Sequence, residues 1–224
     1  MKKQILMAAL PLFVLAACSD SADEATDDAA ADPLAAQAAG TGPYLVTYAD
    51  GTMSLAYSAA DGSEWVGPVA GSEPATWTAS DGQVCVDPPG DAEDGSPNVV
   101  CVTMGDLNPD GTWQGTPDSE GSEPATMRRL DMTAATPADQ VAAGTYLVDL
   151  DDGNHALIVW NADGSSYASF EAQHGTWRAD GQQRCSKLDT DEAESCGAPT
   201  SEMGEDGTFT ADDGANGAIT VRML

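Results

Sequence analysis

Basic charge is scarce in this 224-residue chain: eight Lys and Arg stand against 37 Asp and Glu, for a net charge of −29. Losing Lys2 and Lys3 with the start of the chain would take the remainder to −31. So acidic a surface repels phosphate backbones and anionic headgroups, which excludes sequence-independent nucleic-acid binding and favours a cationic protein as partner. Histidine is scarcer still, His155 and His174 being the only two. No G-x-S-x-G elbow and no H-E-x-x-H pair is present, so neither a hydrolase triad nor a zincin site is spelled out. The one long apolar run, residues 5–17, is too short for a permanent membrane span. No cofactor motif occurs, and the expectation is a protein that is not an enzyme.

The chain nevertheless folds. Five Trp, five Tyr and many alternating apolar residues set it apart from acidic disordered sequences. Ten Asp residues precede Gly, at 50, 61, 81, 94, 110, 152, 163, 180, 206 and 213. Asp-Gly is the two-residue reversal of a hairpin, because Gly accepts a positive φ and Asp tolerates it. Much of the negative charge is therefore turn chemistry.

Lys2-Lys3, the apolar run and Cys18 make the charged start, apolar middle and small-residue end of an export signal. "LAAC" at 15–18 resembles the lipobox of bacterial lipoproteins. The resemblance implies cleavage after residue 17, a diacylglyceryl group on Cys18 and stable anchoring by several acyl chains. Ser19, where an inner-membrane retention signal would carry Asp, implies sorting to the outer membrane, facing the periplasm. Residues 18–41, rich in Ala and Asp with no aromatic before the folded part, read as a flexible tether, with an Ala-rich helix as the rival reading.

The rest is written twice. Residues 42–65 align without a gap on 144–167, Trp77 matches Trp177, Cys85 matches Cys185, Cys101 matches Cys196, and "TMRRL" at 126–130 matches "TVRML" at 220–224. Repeat one is 42–130, repeat two 144–224, and 131–143 links them. Tyr44, Val46 and Tyr48, matched by Tyr146, Val148 and Leu150, alternate with the opposite face as strand residues do. Six to eight short strands per copy imply an all-β fold: two tandem homologous barrels or sandwiches, each an antiparallel meander that must close to protect its edges. Each copy, having once stood alone, is expected to seal its own core.

Four cysteines besides Cys18 permit three pairings; duplication favours Cys85 with Cys101 and Cys185 with Cys196. Asp106, Asn108 and Asp110 before Gly111 match the first half of a calcium loop, although Pro117 stands where its closing Glu belongs. His155 aligns with Met53 and reads as a core or rim histidine; His174 falls in an expected loop. The acidic segments 87–98 and 187–195, between the paired cysteines, are the loops where recognition would reside.

"GTW", "ADGQ" and the cysteine pairs after "NADGS" resemble a group of small lipoproteins of Gram-negative bacteria. That resemblance implies location and architecture and no activity. The expected function is a lipid-anchored, monomeric binding or structural module. The alternatives are an inhibitor of a lysozyme or protease, and an enzyme whose pocket would contain His155 or His174.

Overall fold

A computed structural model describes residues 32–90, 96, 98–119, 121–214 and 216–224. The leader, Cys18 and the expected tether up to residue 31 lie outside the described residues. Among the described residues one short helix, α1 (Pro33–Ala38), precedes the strands. Repeat one contributes β1 (Gly42–Thr47), β2 (Met53–Ser58), β3 (Ser63–Pro68), β4 (Ala75–Ser80), β5 (Gln83–Asp87), β6 (Val100–Met104), β7 (Thr112–Pro117) and β8 (Ala125–Arg129). Repeat two contributes β9 (Gly144–Asp149), β10 (His155–Trp160), β11 (Ser165–Ser169), β12 (Gln173–Asp180), β13 (Gln183–Leu188), β14 (Ser195–Pro199), β15 (Thr208–Asp212) and β16 (Ala218–Met223).

Among the described residues the Asp-Gly pairs do reverse the chain, mostly by a different turn from the two-residue one. In six hairpins the bonds follow one pattern, as in Tyr48 N to Thr52 O and Gly51 N to Tyr48 O. That is a three-residue loop closed by a glycine bulge. Asp50 Oδ1 accepts from Thr52 N at 2.9 Å and Thr52 Oγ1 at 2.7 Å, which locks the loop. Among the described Asp-Gly pairs, only Asp81-Gly82 has both residues at positive φ.

The strands close into two antiparallel eight-stranded barrels, as the all-β expectation requires. The barrels are not the repeats. The first combines β1–β3 with β12–β16, and the second is β4–β11. This corrects the expectation that 42–130 and 144–224 each seal a core of their own. The second barrel is one continuous stretch inserted into the first, entered through residues 69–74 and left through 170–172. Gly67 makes the crossing possible: a Cβ there would lie 2.2 Å from Ser169 Oγ and 2.8 Å from Glu171 O, so only glycine lets the two segments approach.

The repeated Trp clasps the exchanged strands. Trp177 donates from its backbone N to Gly62 O and from Nε1 to Ala59 O, at 2.8 and 2.9 Å. Trp77 does the same to Gly164 O and Asn161 O, both at 2.8 Å. Each indole thus ties one repeat to a hairpin of the other.

Three apolar clusters result. The second barrel is filled by Trp113, Tyr146, Trp160, Met127, Val84 and Val148. The first has a smaller interior set: Tyr44, Ala56, Phe209, Ala211 and Val221. Between the barrels, the outward faces of β1–β3 and β9–β11 meet, with Leu45, Leu55 and Trp65 against Leu147, Leu157 and Tyr167. Leu45 aligns with Leu147, Leu55 with Leu157 and Trp65 with Tyr167, so the contact joins like to like.

The end of the expected tether is ordered. Asp32 caps α1 by accepting from Leu34 N, Ala38 is 1% exposed, and Gln37 exchanges hydrogen bonds with Ser201 O and Met203 N. The helix therefore packs onto the first barrel. Both expected disulfides, Cys85–Cys101 and Cys185–Cys196, are formed between directly opposed residues of neighbouring strands.

Candidate functional site

The barrels share an ancestry but not an interior. In the second, Trp160 stacks beneath Trp77 with ring centroids 5.5 Å apart and against Tyr146 at 4.3 Å, so aromatic rings occupy the centre. In the first, the position of Trp160 is Ser58, that of Ile158 is Ala56, that of Trp113 is Phe209 and that of Met127 is Val221. Every one of these changes removes side-chain volume. The result is a cavity of about 350 Å³ inside the first barrel, within the range of small-molecule sites.

Its floor lies at the α1 end, where β1 begins and β2 ends, and it is polar. Arg184, at the position of Val84, places its guanidinium 4.0 Å from the Trp177 ring centroid, filling the place Trp160 takes in the other barrel. Arg184 Nη1 donates to Gly40 O at 3.0 Å. Arg184 Nη2 donates to Ser58 Oγ and lies 3.3 Å from Glu64 Oε1, which also accepts from Ser58 Oγ at 3.1 Å. Glu64 is 3% exposed and Tyr44 6%. Glu64 Oε2 and Tyr44 Oη are buried without a hydrogen-bond partner, and both residues line the cavity. Burial pushes the Tyr44 phenol above its ordinary pKa, so it stays protonated.

The walls are apolar, with Val46, Val66, Ile219 and Phe209 among them. The mouth is at the other end, where Asp191, Ser195, Asp212 and Asn216 are exposed. Asp191 and Ser195 belong to the acidic segment 187–195, so one of the two loops singled out from the sequence does border the site. Of the other, 87–98, residues 91–95 and 97 lie outside the described residues.

The histidines are elsewhere. His155 and His174 stand edge-on to Trp65, at centroid distances of 4.9 and 5.1 Å, and each holds an Asp through Nδ1 at 2.8 Å, Asp149 and Asp189 respectively. Neither lines the cavity. His155 sits on the rim of the contact between barrels, and His174 lies within β12 where a loop was expected. Gly175 beside it serves the strand, since a Cβ there would come within 2.6 Å of Lys187 O.

The half-pattern Asp106, Asn108, Asp110 folds as one of the six bulged hairpins. Asp110 Oδ1 accepts from Thr112 N and Oγ1, at 3.0 and 2.7 Å, and Asn108 Nδ2 donates to Thr112 Oγ1. These groups play the same part as their counterparts in turns with no calcium pattern. Among the described residues, the one cluster of three His, Cys, Asp or Glu close enough to share a metal is Cys185, Glu194 and Cys196, and its cysteines are bonded to each other.

Strand periodicity alone does not mark Ser58, Glu64 and Arg184. Position-by-position comparison of the copies does, since they replace Trp160, Ser166 and Val84 at inward-facing positions. No protein-family model matches the chain, and neither a curated protein nor a solved structure matches it significantly.

Proposed function

We propose that this protein is a lipid-anchored, non-enzymatic binding module of the bacterial cell envelope, held to the outer membrane through Cys18, with the cavity of the first barrel as its site. The observation that carries the reading is the difference between two barrels of one origin: one is packed with Trp113, Tyr146 and Trp160, the other keeps about 350 Å³ above a buried polar floor. Cavities of this kind, apolar with a few fixed polar groups, suit a small amphiphilic molecule. The lipobox at 15–18 and two disulfides, which persist outside the cytoplasm, support the location.

Two measurements test it. Growth with a labelled fatty acid should label the full chain and fail to label Cys18→Ser. An apolar environment-sensitive fluorophore should bind the Cys18→Ser protein with one site per chain and lose that site when Phe209→Trp and Val221→Met restore the residues of the packed barrel. Labelling that persists in Cys18→Ser removes the anchor; fluorophore binding unchanged by filling removes the cavity as the site.

A further inference from the structure

We infer that the cavity selects amphiphiles whose head donates hydrogen bonds, primary alkylamines above all, and rejects fatty carboxylates; this rests on the binding reading above and names its ligand class. The floor decides it. Glu64 Oε1 is engaged by Ser58 and Arg184, whereas Glu64 Oε2 has no partner. A carboxylate oxygen buried in this way calls for a donor. Tyr44 Oη, equally without a partner, offers one proton and accepts another bond.

An alkylammonium carries three N–H donors and no acceptor, so it matches the free lone pairs of both groups, and its donors to Glu64 are charge-assisted. A neutral alcohol gives one proton to Glu64 and accepts one from Tyr44. A fatty carboxylate has no proton to give, and it would set a second carboxylate beside the buried Glu64. Arg184 does not offset this, because its charge is already paired with Glu64 and three of its five N–H donors go to Gly40 O, Ser58 Oγ and Glu64 Oε1, with its face on Trp177.

The approach favours the same class. Asp191 and Asp212 stand at the mouth of a chain of net charge −29, which draws cations inward and repels anions. Screening by salt separates this steering from selection at the floor, because a buried contact is screened far less than an exposed one.

The test is calorimetry on the full chain carrying Cys18→Ser, with decylamine, decanol and decanoate below their aggregation concentrations. The expected order is amine, alcohol, acid, with the amine at least tenfold tighter than the acid and the order kept at high ionic strength. Tyr44→Phe, which removes a hydroxyl that no protein group bonds, should leave the melting temperature unchanged or raised while weakening amine and alcohol severalfold. Decanoate binding as tightly as decylamine, an order that disappears in high salt, or amine and alcohol affinities untouched by Tyr44→Phe each overturn the inference. If the apolar fluorophore still binds in those cases, only the head-group selection falls. If the fluorophore and all three amphiphiles fail to bind, the cavity reading falls with it.

Discussion

Cutting the chain at the barrel boundary and at the repeat boundary should give opposite outcomes. The segment 75–169 contains every strand of the second barrel, its packed interior and Cys85–Cys101. The segment 42–130 contains one whole repeat but separates β1 from β16, β3 from β12, β4 from β11 and β8 from β9. It could recover those pairings only by turning back through 69–74 and closing on itself, and its interior opposes that. By the alignment of the copies, Glu64 would then face Val84 in place of Arg184, and Trp160 would give way to Ser58. Leaving a buried charge without its partner costs about 3–5 kcal/mol. Losing the bulk of a central indole costs about as much again. Their sum is comparable with the roughly 5–15 kcal/mol by which a domain is stable at all. Two copies of 42–130 exchanging strands meet the same mismatch, so dimerisation does not repair it. Urea melts under oxidising conditions, followed by tryptophan fluorescence and near-UV circular dichroism, decide the matter. They belong at low micromolar concentration, because 75–169 exposes Leu147 and Leu157. The expected result is a cooperative transition for 75–169 and none for 42–130. A monomeric 42–130 that melts cooperatively, or a 75–169 without tertiary signal, would refute the reasoning.

Three other outcomes follow from the same geometry. Phe209→Trp with Val221→Met should keep or raise stability, by up to about 2 kcal/mol as cavity filling commonly does, and a fall of several kcal/mol in urea melts would mean the interior has no room for them. Glu64→Leu or Arg184→Met alone should cost about 3–5 kcal/mol, while the double variant recovers most of it; additive losses in a double-mutant cycle would show that the two residues are not coupled. Asp50, Asp61, Asp110 and Asp163 each hold a proton-free carboxyl below the ordinary range: hydrogen bonds from their own turns lower them, from the Thr52, Thr112 and Ser165 side chains first for Asp50, Asp110 and Asp163 and from the Ser63 backbone first for Asp61. A lowered folded-state value contributes stability that is present above about pH 4 and is lost as pH falls through the folded values. The melting temperature of the wild type should therefore drop against that of the fourfold Asp→Asn variant on acidification, and a gap that stays constant from pH 6 to pH 2 would contradict the assignment.

Much of the fold was legible because it is written in local chemistry. Alternation put Tyr44 and Val46 on one face of their strand, and duplication favoured the cysteine pairs that form. The partner of each strand was not legible, for a physical reason. Period-two alternation states that a face is buried without stating against what. It left open what the Leu45 and Leu147 side of the strands meets, and the two barrels bury those residues against each other. Nor does alternation separate the seam of β3 with β12 from one of β3 with β4, since both would bring equivalent residues together.

What distinguishes the two closures is interior complementarity across the repeats: Glu64 of one copy needs Arg184 of the other, and Trp160 of one needs the space beside Val84 of the other. Once the copies had diverged in this direction, closing each repeat on itself would strand a charge or overfill a core. The exchanged arrangement is therefore the one in which Glu64 keeps its cation and Trp160 keeps its space. It also divides the labour of stability. The continuous barrel, packed around Trp113, Tyr146 and Trp160, presses its outer face against β1–β3 of its neighbour. That neighbour, braced from outside and clasped by Trp177, tolerates a cavity and a buried ion pair that a free-standing barrel of its size would lose stability by keeping. The cavity sits in the barrel that is held, and the holding comes from the barrel filled with aromatic rings.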